Sequence, residues 1–360
     1  EWAMYAWNAA PPLPAVSRQG PARTAWRSML ARDAVFAGIV LAVVLGYGFL
    51  RLGQPDPAGR PVNLLLVQQN LDPWDSGKAR AGGTRINQDL TLQGLAGSEV
   101  PVDLVAWSET SVMDAFVRQG DGFDRKSSMV PFAQEAGVPI LFGGVVVVDA
   151  RRNLYMNGAI LISPQGEIVD TYGKMHPVPF AESIPGFRFA FVQWFFTKVV
   201  GVWFPWVQGR EYTIFRVPLA AGGDLAFGAP ICFEDAFSDL CRRFIRDGAD
   251  LWMNLTNDYW SKTVSSEYQH FQVARFRAVE NRRVLVRSTN GGVTAVVDPT
   301  GGVRAALPLF EPGTLAVSVP VADGALTPYT ILGDWFPWAL ACALFVLLVV
   351  DLAAGRRRNP

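Results

Sequence analysis

Two charge-free apolar runs bracket this 360-residue chain and restrict its fold more than any other feature. Ala34–Leu50 reads AVFAGIVLAVVLGYGFL, and Trp335–Val350 reads WFPWALACALFVLLVV, closed by Asp351 and the basic tail Arg356, Arg357 and Arg358. Spanning a bilayer takes about 17–25 apolar helical residues. Helices in soluble cores seldom stay uncharged for so long. Both runs are therefore read as transmembrane helices, over residues 34–52 and 329–351.

The flanks set an orientation. Arg18, Arg23, Arg27 and Arg32 precede the first run and the arginine triplet follows the second. By the positive-inside rule, segment 1–33 and tail 352–360 are cytoplasmic, and the stretch between the helices lies across the membrane. Residue 1 is Glu, and the apolar, aromatic Trp2–Trp7 reads as the end of an earlier membrane segment in a longer chain. The opening residues lack the short apolar stretch and small-residue cleavage site of a signal peptide.

Composition narrows the class. With 32 basic against 32 acidic residues there is no net charge, which argues against nucleic acid as a partner. Only 18% of residues are charged and mean hydropathy is +0.18, which excludes a disordered chain. Three scattered cysteines (Cys232, Cys241, Cys342) and two histidines make neither a disulfide framework nor a metal cluster. With no phosphate loop either, no cofactor is expected.

Residues 53–328 read as one α/β domain. Strand-like runs recur at Val62–Val67, Val102–Trp107, Ile140–Val148, Ala159–Ser163, Tyr212–Val217, Asp224–Ile231, Asp250–Leu255, Arg283–Arg287, Val293–Val297 and Thr314–Val319. Helical stretches fall at Arg85–Leu95, Asp124–Ala136, Asp235–Arg246 and Glu267–Glu280. Hairpin turns are expected at Pro164-Gln165-Gly166 and at Pro299-Thr300-Gly301-Gly302. One layered domain with helices outside sheets accommodates this pattern better than two domains.

Three places carry chemistry. Val102–Glu109 is a buried strand ending on a carboxylate, where α/β sheets bind ligands. In Tyr172–Glu182, Pro177 and Pro179 stiffen a turn that brings Lys174 near Glu182, an arrangement suited to a developing oxyanion. In Gly228–Phe237 a strand runs into a helix with Cys232 at the turn, where helix-terminal N–H groups are expected to lower its pKa. Cys241 and Cys342 lie within helical stretches and read as packing residues. Neither His176, in a loop, nor His270, on a helix, is assigned a catalytic part.

Glu109, Lys174 and Cys232, in this order and these contexts, resemble the Glu-Lys-Cys triad of the nitrilase superfamily, which implies an α-β-β-α sandwich. The flanking helices make the chain similar to that superfamily's membrane-held branch, the apolipoprotein N-acyltransferases. Further matches are Leu66–Asn70 with Trp74, the Lys174–Glu182 run, Asn254–Trp260, Gln269–Gln272 and Arg287–Gly292. The sequence departs from the family pattern at Ser108 (Pro in the family), Pro177 (Leu), Ala181 (Gly) and Phe233 (Tyr). Family members also carry additional membrane helices before residue 34.

The resemblance implies transfer of an acyl chain from a phospholipid, through a Cys232 thioester, to the N-terminal amine of the diacylglyceryl-cysteine of an apolipoprotein in the bacterial inner membrane. Glu109 would be the base, with Lys174 and the Phe233 N–H stabilising the oxyanion, and Glu182, Glu234 and Trp74 in support. Phe187–Trp206, dense in Phe and Trp, reads as a loop dipping into the headgroup region rather than an aromatic core. Rival readings are a membrane-tethered amidase using the same triad and a non-catalytic sandwich scaffold.

Overall fold

Alternation in Val62–Val67 buries both faces of one strand, and the structure, a computed structural model, places each face against a different layer. It describes residues 21–53, 59–119, 122–123, 127–187, 189–200, 206–321 and 324–358. Trp2–Trp7, Arg18, Asp124, Arg188, Trp203 and Phe204, which enter the readings above, lie outside the described residues.

Residues 1–56 and 57–360 form separate units. The first contains helix α1 (Pro21–Leu52), whose segment Leu30–Leu52 is long and apolar enough to cross a membrane. At 1.5 Å per residue its 23 residues reach about 35 Å.

The second unit holds two sheets. The first sheet contains β1 (Arg60–Gln68), β2 (Leu104–Ala106), β3 (Ala115–Gln119), β4 (Gly122–Phe123), β5 (Ile140–Asp149), β6 (Leu154–Ile162) and β7 (Ile168–Gly173). The second runs in chain order through β8 (Phe215–Pro218), β9 (Asp224–Gly228), β10 (Leu251–Thr256), β11 (Leu285–Thr289), β12 (Ala295–Val297) and β13 (Val303–Ala306). Strand β14 (Gly313–Val321) then returns to pair antiparallel with β1. Strands β1, β2 and β5 are mutually parallel, as are β9, β10 and β11. The chain leaves β2 towards Glu109, β9 towards Cys232 and β10 towards Asn257, and the carboxyl ends of parallel strands are where such sheets present ligand-binding groups.

Leu64 and Leu66 point into the space between the sheets, beside Leu104, Ala106, Phe215 and Phe227. Leu65 and Val67 point outward, under α2 (Ser76–Ala96) and α3 (Met129–Ala136). Past the first sheet, α4 (Ala190–Trp194) passes into a π-helical turn, Phe195–Val200. Helices α5 (Ser238–Arg246) and α6 (Val264–Asn281) cover the second sheet, with Phe244, Phe271 and Ala274 buried there. The order of layers is α-β-β-α, as the resemblance implies.

Several expectations change. Strands β3, β4, β7 and β13 were not anticipated, since β13 is mostly exposed and β7 only half-buried, so neither carries a continuous apolar run. The Val102–Trp107 strand contracts to three residues. The second apolar run divides: α7 (Pro328–Leu332), capped by the Thr327 hydroxyl on the Thr330 N–H, ends at Gly333 (φ 62°), and α8 (Trp335–Arg358) starts afresh. Its apolar part, Trp335–Val350, is shorter than a spanning segment, so the span expected over 329–351 begins six residues late. Phe189, Phe191, Trp194 and Phe195 are exposed, and no residue of α4 or its π turn is buried, which removes the aromatic-core reading.

Candidate active site

Glu109 follows β2 where the chain leaves the sheet through a left-handed Thr110 (φ 51°). Although 5% exposed, its carboxylate is fully engaged. Oε1 accepts from Lys174 Nζ at 3.0 Å and from Asn157 Nδ2 at 2.8 Å, and Oε2 accepts from the Asn257 N–H at 3.0 Å. Lys174, one residue past β7 and 2% exposed, also donates to Glu182 at 2.9 Å. The Val178 N–H holds Glu182 at 2.8 Å, so the proline turn delivers the second carboxylate as expected. Burial pulls the Lys174 pKa down, but Glu109, Cys232 and Glu182 outweigh it and leave the ammonium above the ordinary lysine range.

Backbone packing sets the position of Glu109. Gly143 of β5 donates its N–H to the Ser108 carbonyl and accepts from the Val112 N–H. A Cβ at Gly143 would stand 2.5 Å from the Thr110 nitrogen and 2.6 Å from the Glu109 Cα. Gly143→Ala must therefore move the Glu109 loop, and a displacement near 1 Å costs roughly 10²-fold in rate. We expect that loss in kcat/KM for Gly143→Ala and less than about tenfold for Gly144→Ala, whose Cβ meets only side-chain atoms. Equal losses would assign the effect to strand propensity.

Cys232 opens a 3₁₀ turn, Cys232–Ala236, with a left-handed φ of 52°, a conformation that non-glycine residues hold only under surrounding constraint. Glu234 supplies much of that constraint. Fully buried, its carboxylate accepts from the Ile231 N–H at 2.8 Å, the Met175 N–H at 2.6 Å, the His176 N–H at 3.0 Å and the Tyr172 hydroxyl at 2.9 Å. It ties the cysteine turn to the backbone around Lys174. The expected lowering of the cysteine pKa does not hold: burial pushes the thiol well up, Glu109 adds to this, and Lys174 opposes it. A five-residue 3₁₀ turn provides too little dipole to offset complete desolvation. Burial thus keeps Cys232 in its thiol form, which an attack on a carbonyl would require a base to deprotonate.

Around the turn lies a buried ionic cluster that no local pattern in the chain announces. His270 Nδ1 is 2.8 Å from Asp258 Oδ1, and Nε2 is 2.7 Å from Asp235 Oδ1. Fully buried Arg287 donates to Asp258 at 2.7 Å and to Asn254 Oδ1 at 3.1 Å. Asp258 Oδ1 is 4.0 Å from Cys232 Sγ. Asn157 is another unanticipated member; its signal was a polar residue in the otherwise apolar run Gly158–Ile162 and its neighbours.

The remaining residues fall outside this core. Trp74 is 70% exposed on the loop after β1 and donates its indole N–H to the Trp260 carbonyl at 3.1 Å, so it joins the loop that reaches Glu109 through Asn257. The Phe233 ring is partly exposed and packs edge-on to Phe237. His176 stacks on Phe237, with ring centroids 4.1 Å apart.

The carbon-nitrogen hydrolase family model matches residues 80–329. Apolipoprotein N-acyltransferase 2 of Treponema denticola is 36% identical over 327 residues, which cover 90% of this chain and 61% of that protein. The apolipoprotein N-acyltransferase of Geobacter metallireducens is 32% identical over 330 residues, covering 91% of this chain and 60% of that protein. The chain thus spans about three fifths of the length of these relatives. Among solved structures, Saccharomyces cerevisiae Nit3, a member of branch 10 of the nitrilase superfamily, superposes with a TM-score of 0.53 at 16% identity, over 74% of this chain and 93% of that one. A carbon-nitrogen hydrolase from Helicobacter pylori gives 0.51 at 15% identity, over 72% and 89%. These likenesses are of fold alone, but the family match extends over more than half of the sequence: the chain belongs to the carbon-nitrogen hydrolase family.

Proposed function

We propose that this chain carries the catalytic domain of an apolipoprotein N-acyltransferase and moves an acyl chain from a phospholipid to the N-terminal amine of a diacylglyceryl-cysteine. The observation that carries the reading is the buried Lys174 between Glu109 and Glu182, coupled to Cys232, in a chain 36% identical to a protein so named. Glu109 takes the thiol proton as Cys232 Sγ attacks the ester carbonyl. The Lys174 ammonium and the Phe233 N–H, which as an early group of the 3₁₀ turn lacks an intrahelical partner, stabilise the oxyanion. Collapse breaks the ester C–O bond, the alkoxide takes the proton back from Glu109, and a lysophospholipid leaves a Cys232 thioester. The acceptor amine then attacks, a carboxylate removes its proton, and the thiolate departs and is reprotonated. Ester plus amine becomes amide plus alcohol. Glu182, half-buried beside Lys174, is placed to take the amine proton, and Glu234 to keep the two motifs in register.

The same reading sets the chain in the bacterial inner membrane through a span in α1, with domain 53–328 on the extracytoplasmic side and the shorter apolar part of α8 entering the bilayer. The exposed aromatics of α4 and its π turn then meet the headgroup layer and border the acyl-chain route. Incubating detergent-solubilised protein with phospholipid is expected to add one acyl mass, sensitive to hydroxylamine, to the wild type and none to Cys232→Ser. Absence of the adduct together with turnover of small amides would replace this reading by an amidase; absence of both would favour a scaffold.

A further inference from the structure

Around the cysteine turn, four charged side chains from four separate elements converge without a part in the steps above. Asp235 belongs to the turn, Asp258 to the loop after β10, His270 to α6 and Arg287 to β11. Both ring nitrogens of His270 lie within 2.8 Å of carboxylate oxygens. A neutral imidazole donates through one nitrogen only, whereas the imidazolium donates through both, so the geometry selects the cation. Arg287, whose Nε is 3.7 Å from Asp235, is charged at any working pH.

Charge counting shows what the His270 proton does. With it, two aspartates face two cations and the cluster is neutral. Without it, one negative charge is left over, and the nearest carboxylate oxygen is 4.0 Å from Cys232 Sγ. Arg287, 3.1 Å from Nδ1, works against the proton, as does burial, yet Asp235 and Asp258 hold the His270 pKa up to about 9. Glu267, three residues earlier on α6, faces the same cluster with its carboxyl raised to about 7 by burial and by Asp258, so at neutral pH it is about half-ionised and adds part of a negative charge that the His270 cation also offsets. From the opposite sheet, Glu109 and Lys174 act on the same sulfur.

We propose that His270 is a positioning residue for the nucleophile: its imidazolium, clamped between Asp235 and Asp258, neutralises the protein beside Cys232 and lowers the cost of forming the thiolate. This rests on Cys232 being the nucleophile. The cation also pins the Asp235 end of the turn to α6, which helps to hold the left-handed conformation of Cys232.

The test needs no lipid substrate. The full chain in detergent is alkylated with iodoacetamide at a series of pH values, and modification of Cys232 is quantified by peptide mass spectrometry. His270→Gln keeps one hydrogen bond but removes the charge, and is expected to lower the alkylation rate by about tenfold or more at pH 7–8, where His270 of the wild type is cationic, with the difference closing above about pH 10. Asp258→Asn removes a negative charge 4.0 Å from the sulfur, so its rate at pH 7–8 is expected at or above the wild-type value. A purely structural role would slow alkylation by the same factor at every pH. A His270→Gln deficit that is absent at pH 7–8 or constant with pH, or a slower Asp258→Asn, overturns the inference and leaves Cys232 as the nucleophile. A wild type whose Cys232 does not alkylate at all overturns the nucleophile reading with it. Since the chain has only two histidines, ring-labelled NMR of the unmutated protein gives a further check that does not depend on a variant folding. One ring is expected to stay cationic above about pH 8, and titration of both near the ordinary value overturns the proposal.

Discussion

Cys232→Ala is expected to lower acyl transfer by about 10⁴-fold or more, the scale seen when the nucleophile of a covalent mechanism is removed. Cys241→Ala should retain activity within about threefold. The contrast follows from placement, since both thiols are buried and both are held up in pKa by that burial. Cys232 faces Glu109 and Lys174, whereas Cys241 sits inside α5 with its sulfur 3.7 Å from the Glu234 carbonyl and acts as a small packing group. Its loss costs on the order of 1 kcal/mol of stability. The measurement is lysophospholipid release paired with acylation of a diacylglyceryl-cysteine peptide. Comparable losses in the two variants would remove Cys232 as the sole nucleophile.

Lys174→Met should produce two separable effects. The oxyanion loses its fixed cation, which costs about 10²–10³-fold in kcat/KM. The fold also loses the ammonium bonded to both Glu109 and Glu182, and leaving a buried charge uncompensated costs about 3–5 kcal/mol. The lower end applies here, because Glu182 is partly exposed and one carboxyl relieves the repulsion by taking up a proton. Adding Glu182→Gln removes one of the two carboxylates and should recover part of the melting temperature without recovering turnover. If kcat/KM of the single variant stays within about tenfold of wild type, Lys174 has no direct electrostatic role in the transition state.

Glu109 and Cys232 were legible because each stands where an apolar run stops. Glu109 follows Val102–Trp107 and Cys232 follows Asp224–Ile231; a change of pattern marks the end of a buried element even when its exact limits are missed. Lys174 was marked instead by the two prolines that follow it, since β7 carries no continuous apolar run. Glu234 was legible as a candidate but not in its role. Its carboxylate bonds backbone N–H groups of a segment almost sixty residues earlier, a pairing that no local spacing encodes. The helix boundary at Gly333 was missed because a single Gly-Asp pair between apolar stretches does not by itself end a helix; the Thr327 cap and the positive φ of Gly333 mark the break.

By itself the sequence determined the α/β class and the apolar ends, because hydrophobic period and turn chemistry are local properties of the chain. Tertiary structure alone decided which polar groups meet. Asn157 reaches Glu109 across 48 positions, Arg287 reaches Asp258 across 29, and His270 joins Asp258 to Asp235, 35 positions away. It also decided the state of the Cys232 thiol. Strand-to-helix position argued for a lowered thiol pKa, but burial is a property of the packed molecule, and the desolvation of Cys232 exceeds what the short turn and Lys174 return.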